Sequence, residues 1–114
     1  MSDHPIFSES VRRIQAMLAD LARADGALAA HLQRLSPLER EVLERCIHSS
    51  GDVSIAPDLV FAPAAQVAAP ASAPGGTAGS ACQLALAGLR AGAPILTDTA
   101  MAAAAVAPMA RRTL

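Results

Sequence analysis

The sequence predicts an α/β chain in which N-terminal helices are followed by a small parallel β-α-β-α layer. Apolar residues recur at helical spacing through residues 9–35 and again after Ser36. Two short apolar runs, Leu59-Val60-Phe61 and Pro94-Ile95-Leu96, read as buried strands, and each precedes a stretch with helical character. With 114 residues the chain amounts to a single domain, residues 1–114, that buries one modest core.

The first helical region carries Val11, Ile14, Leu18, Leu21, Leu28, Leu32 and Leu35 on one stripe. The stripe lapses at Asp25-Gly26, so the region is either one flawed helix or two helices separated by a short turn. Ser36-Pro37-Leu38-Glu39 then spells a capping box with proline at the first helical position. Leu38, Val42, Leu43, Cys46 and Ile47 form the apolar face of the helix it starts, and Glu39, Arg40, Glu41 and Glu44 fall mostly opposite. Gly51 is the stop. His48 sits in the last turn, at the negative end of the helix dipole, where a cationic imidazolium is favoured.

Residues 62–81, APAAQVAAPASAPGGTAGSA, hold almost no large side chain and no charge. Such a stretch buries too little apolar surface to offset its ordering entropy and reads as a flexible insertion. Helical spacing returns over Cys82–Arg90, with Gly92 as C-cap. After the second apolar run, Thr97 or Asp98 can cap the alanine-rich stretch from Thr99 to Ala107. In a parallel layer, ligands gather at the carboxyl ends of strands, which is where Thr97-Asp98 would lie.

Composition narrows the partners. Nine basic against ten acidic residues leave a formal charge of −1, without the footprint of nucleic-acid or anionic-membrane binding. The longest apolar stretch, Ala100 to Ala110, is too short and alanine-rich to span a bilayer, and MSDHPIF lacks the pattern of a secretory signal. A cytoplasmic protein is expected. Cys46 and Cys82 lie far apart, which argues against a disulfide framework. Two phenylalanines and no Trp or Tyr make stacking on bases or flat cofactors an unpromising theme.

Taken one at a time, the polar candidates are ordinary. A histidine at a helix C-terminus is more often a cap or surface residue than a catalyst. Cys46-Ile47-His48 has no second ligand pair, and His4 and His31 lack ligand-like neighbours, so no metal site is expected. Cys46 reads as a structural thiol, Asp98 as an N-cap, and PGGTAG lacks the lysine and context of a phosphate loop.

Together, three blocks change this reading. Residues 6–14 (IFSESVRRI), 35–52 (LSPLEREVLERCIHSSGD) and 92–101 (GAPILTDTAM) resemble, in order, blocks of the precorrin-8X methylmutase family of cobalamin biosynthesis. The more specific features are a helix ending Arg-x-x-His-x-x-Gly and a strand Gly-Ala-Pro-Ile followed by Asp and Met. The resemblance implies a three-layer α/β/α fold, of which this chain corresponds to about the N-terminal half. It also implies an isomerase that moves a methyl group between neighbouring ring carbons, turning precorrin-8X into hydrogenobyrinate, or its cobalt-containing equivalent.

The same resemblance gives residues their roles. His48 matches the proton-transfer histidine; Arg45 and Ser10 match substrate-binding positions, and Asp98 falls in the last block as a further substrate contact. A tetrapyrrole ringed by carboxylates calls for a guanidinium. No cofactor is implied. Members are homodimers with sites at the subunit boundary, so a homodimer, or a pairing with another cobalamin-pathway enzyme, is expected. Met17 departs from the family, which usually has an acidic residue there. The rival reading is a non-catalytic truncated homologue that binds a corrinoid or partners a full-length pathway enzyme.

Overall fold

The computed structural model describes residues 4–63 and 80–113, which fall into two compact units, residues 1–61 and 62–114. The first unit is a helical cluster: α1 (Pro5–Ala24), α2 (Gly26–Arg34), α3 (Pro37–Ser50) and a 3₁₀ turn (Val53–Ile55). The second contains α4 (Ala81–Arg90) and α5 (Ala100–Thr113).

Each helix begins where a side chain can satisfy free amides. The His4 Nδ1 accepts from the Ile6 amide at 3.2 Å, and Pro5, which lacks an N–H, opens α1. At Asp25 the backbone is extended, and its carboxylate accepts from the amides of Ala27 and Leu28 at 3.0 and 3.1 Å. The lapse in the apolar stripe is therefore a helix start, and the first region is two helices. The capping box forms: the Glu39 amide donates to Ser36 Oγ at 3.2 Å and the Ser36 amide to Glu39 Oε2 at 2.9 Å. Gly51 closes α3 at φ +71°, a left-handed conformation that suits a residue without Cβ, and its amide donates to the Ile47 carbonyl at 2.8 Å.

α1 packs on both α2 and α3, and the 3₁₀ turn docks against α1. Ile14 and Leu18 from α1, Leu28 and Leu32 from α2, and Leu43 and Ile47 from α3 form the core with Ala56. Leu18 and Leu43 are wholly inaccessible, whereas Leu21 is 43 % exposed although it continues the same stripe. Glu44 is buried too, its carboxylate accepting from the Gln15 side chain at 3.1 Å and facing Arg40 at 3.8 Å. A buried carboxylate requires such partners, and these tie α3 to α1.

The predicted parallel layer is absent: among the described residues there is no strand, only an isolated antiparallel bridge between Pro63 and Ser80. The α/β expectation is thus corrected to an all-helical fold. The backbone groups that a ladder would use are engaged elsewhere or exposed. Leu59 donates its amide to the Ile55 carbonyl at 3.2 Å, and its own carbonyl meets His31 Nε2 at 3.1 Å. Val60 is 75 % and Leu96 89 % exposed. An apolar run becomes a strand only when a neighbouring strand completes its hydrogen bonds, and among the described residues none lies beside these.

In the second unit, α4 starts at a Ser80–Gln83 capping box. It ends in a paired turn: the Ala93 amide donates to the Gly88 carbonyl at 3.0 Å and the Gly92 amide to the Leu89 carbonyl at 3.1 Å. Ala91 is the C-cap, and Gly92, at φ +90°, follows it. Neither Thr97 nor Asp98 caps α5. Thr99 does, its Oγ1 accepting from the Ala102 amide at 3.1 Å, and the helix continues past Pro108 to Thr113. Most of the predicted flexible insertion, residues 64–79, lies outside the described residues.

Leu18→Ala or Leu43→Ala should cost roughly 2–5 kcal/mol in urea unfolding, by lost transfer energy plus a cavity, and Leu21→Ala less than about 1 kcal/mol. Equal losses at all three would contradict this core.

Candidate active site

Two helix segments build the site. The first turns of α1 present Phe7 and Ser10, three residues apart and hence on one face, and the last turns of α3 present Arg45 and His48 with the same spacing. Where the helices meet, Ser10 Oγ lies 2.7 Å from His48 Nδ1, the tautomer deciding which of them donates. The Phe7 ring stands nearly perpendicular to the His48 imidazole, with centroids 5.0 Å apart and an interplanar angle of 81°. The Arg45 guanidinium carbon sits 4.6 Å above the centroid of the same Phe7 ring. Arg45 also pairs with Glu41 at 3.2 Å.

The structure thus brings together three of the sequence-predicted residues, Ser10, Arg45 and His48, with Phe7 touching two of them. Phe7 was not singled out as a site residue; its only signal was a helical phase shared with Ser10. Asp98 belongs to the second unit, where it is exposed in the bend that precedes α5. Met17, at the position where the family usually carries an acid, lines an open hollow of about 290 Å³ together with Ser10, Arg13, Ile47, His48 and Val53. A larger open hollow of about 660 Å³ between α1 and α3 is lined by Phe7, Val11, Gln15, Arg40, Glu44 and Arg45. His48 does not line it, so the larger hollow alone does not mark the chemistry.

His48 is exposed. The turn just beyond it is held by Asp52, whose Oδ1 accepts from the Ser54 amide at 2.9 Å and the Ser54 hydroxyl at 2.6 Å. The Ser54 hydroxyl, then its amide, hold the Asp52 carboxyl below its ordinary range. On α1, hydrogen bonds from Arg12 and then Arg13 lower the Glu9 carboxyl, the Arg13 contact being 2.9 Å. Among the described residues no group of three or more His, Cys, Asp or Glu side chains is arranged to hold a metal ion. Cys46 is a half-buried free thiol. None of the described helices is long and apolar enough to cross a membrane.

A family model described as precorrin-8X methylmutase (CbiC) matches residues 5–114, which include every residue of this cluster. The chain belongs to the precorrin-8X methylmutase family. Comparison with curated proteins and with solved structures returns no match. The precorrin-8X methylmutases are isomerases of cobalamin biosynthesis, and this chain carries a methylmutase-like domain. The family match and the Ser10–His48 contact rest on different observations: one on the sequence as a whole, the other on two helices meeting.

Because the Asp52 carboxyl is lowered on folding, its stabilising contribution is complete above the ordinary carboxylate range and is lost as pH falls through the lowered value. Wild type should therefore melt above Asp52→Asn near neutral pH, and the two should converge in strong acid. A difference in melting temperature that stayed constant down to pH 2, an acidity of about two units below the ordinary carboxylate range, would contradict the lowered carboxyl.

Proposed function

We propose that this chain catalyses the methyl migration that converts precorrin-8X into hydrogenobyrinate, with His48 exchanging the proton. The observation that carries the reading is the 2.7 Å contact between Ser10 Oγ and His48 Nδ1, made by residues 38 positions apart in sequence. A second group on one ring nitrogen fixes the imidazole's orientation and tautomer. With Nδ1 engaged by Ser10, Nε2 is the nitrogen that meets the substrate.

The step is an isomerisation and needs no oxidant or reductant. His48, as imidazolium, gives a proton to the macrocycle; one carbon–carbon bond to the methyl group breaks as another forms at the neighbouring ring carbon; the same imidazole then takes a proton back. Imidazole suits both directions because it exchanges protons near neutral pH. Arg45 binds a peripheral carboxylate, a charge-assisted contact that orients the ring. Asp98 is a further substrate contact on the strength of the family resemblance. The substrate carries cobalt or not according to the pathway, and the working unit is a homodimer or a pair with another enzyme of that pathway, in the cytoplasm.

A second reading is favoured by one observation. Leu96, Met101 and Met109 are more than half exposed in the second unit, an apolar surface that suits a corrinoid-binding companion of another pathway enzyme rather than a catalyst.

Turnover of precorrin-8X, followed by the visible spectrum of the product, and titration with hydrogenobyrinate separate the two. His48→Ala should lower kcat roughly 10²- to 10⁴-fold while leaving hydrogenobyrinate affinity in the same order of magnitude. Arg45→Ala should weaken that affinity about 10- to 150-fold. Binding without any turnover by the wild type would replace the catalytic reading with the companion one; neither binding nor turnover would end both.

A further inference from the structure

The Phe7 side chain touches both Arg45 and His48, and no role of the site requires an aromatic ring there unless the contact itself matters. It lies in the first turn of α1, half-buried and outside the core cluster. A phenyl ring has a negative face and a positive edge, so a guanidinium over the face is attracted to it, and a second ring prefers to meet it at right angles. Both preferences are satisfied: 4.6 Å from the Arg45 guanidinium carbon to the centroid, and 81° to the imidazole at 5.0 Å.

The ion pair that Arg45 makes on its own helix is weak. The Arg45–Glu41 pair is solvent-exposed on both sides, with side chains 45 % and 58 % accessible, and such pairs contribute little in water. The Phe7 ring gives the flexible Arg45 side chain a rigid partner. His48 is likewise fixed by two neighbours on α1: Ser10 sets one ring nitrogen by a hydrogen bond, and Phe7 sets the plane.

We propose that Phe7 is a positioning residue of the candidate active site, holding the Arg45 guanidinium and the His48 imidazole in register through one ring. The proposal rests on the catalytic reading of His48 and Arg45 for its consequence, and on the two ring contacts for its geometry. A carboxylate seated on Arg45 is then placed at a fixed offset from the proton-carrying ring. Without the phenyl ring, each side chain keeps its own backbone position but loses the common reference.

Phe7→Leu removes the ring while keeping an apolar side chain, and Phe7→Tyr keeps the ring. Nitrogen-15 chemical shifts of the His48 imidazole, read on the protein without substrate, report how firmly Nδ1 is held by Ser10. In Phe7→Leu these shifts should move toward those of a freely rotating imidazole, and in Phe7→Tyr they should stay at the wild-type values. With substrate, Phe7→Leu should lower kcat and raise KM together, and Phe7→Tyr should restore both. In hydrogenobyrinate titrations, Phe7→Leu and Arg45→Ala should be non-additive by about two- to fivefold, the range of an exposed cation–π contact. Far-UV circular dichroism establishes that each variant is folded, and the Phe7→Tyr arm stands if Phe7→Leu unfolds.

Unchanged imidazole shifts in folded Phe7→Leu, or a Tyr variant as impaired as the Leu variant, would overturn the proposal. Because the shifts are measured without substrate, a failure of turnover in the wild type sinks the catalytic reading and leaves the positioning result readable on its own.

Discussion

Everything at the candidate site depends on how α1 lies across α3. Ser10 and His48 are far apart in the chain and meet only because Ile14 and Leu18 share a core with Leu43 and Ile47. The magnitudes say which contact governs. Burying one such aliphatic side chain is worth roughly 1.5–3 kcal/mol, whereas an exposed hydrogen bond nets about 0.5–1.5 kcal/mol. Several buried side chains outweigh one polar contact, so the apolar seam sets the crossing and the Ser10–His48 bond reports it. The buried Glu44, held by Gln15 across the same seam, adds directional specificity because it must find that partner wherever the helices settle.

The helix ends then decide which side chains reach the site. α1 starts at Pro5, so Phe7 and Ser10 fall in its first two turns, where the helix begins to run over the end of α3. α3 stops at Gly51 because a left-handed residue and its amide bond to Ile47 terminate it, leaving His48 one turn from the end and exposed. Asp52 fixes the direction in which the chain departs, delivering Val53 and Ile55 back to the core instead of over the imidazole. An accessible histidine beside an apolar seam is the outcome of these local rules.

Legibility in the sequence follows the range of the interaction. The Ser36–Glu39 capping box, the Gly51 stop and the core stripes were readable because they depend on residues within a turn or two of one another. The split at Asp25 was half-readable: the lapse in the stripe was visible, but only the two amides received by the carboxylate make it a cap. Ser10, Arg45 and His48 were named through family resemblance, and the cap of α5 slipped from Thr97 or Asp98 to Thr99 by the choice among neighbouring polar residues. The parallel layer failed for a non-local reason. Short apolar runs fit a strand or an extended loop equally well, and the decision belongs to a neighbour that the local sequence does not specify. Glu39 and Glu44, expected mostly opposite the apolar face of α3, are buried, and Phe7 joins the site; the Glu44 and Phe7 contacts lie across a helix crossing, invisible to periodicity along one helix.

The most direct test is an experimental structure of this chain bound to hydrogenobyrinate. The account predicts the macrocycle against the His48 imidazole, a carboxylate on Arg45, and Ser10 Oγ still within hydrogen-bond distance of Nδ1. A macrocycle bound away from His48, or α1 and α3 crossing so that Ser10 and His48 no longer meet, would contradict it.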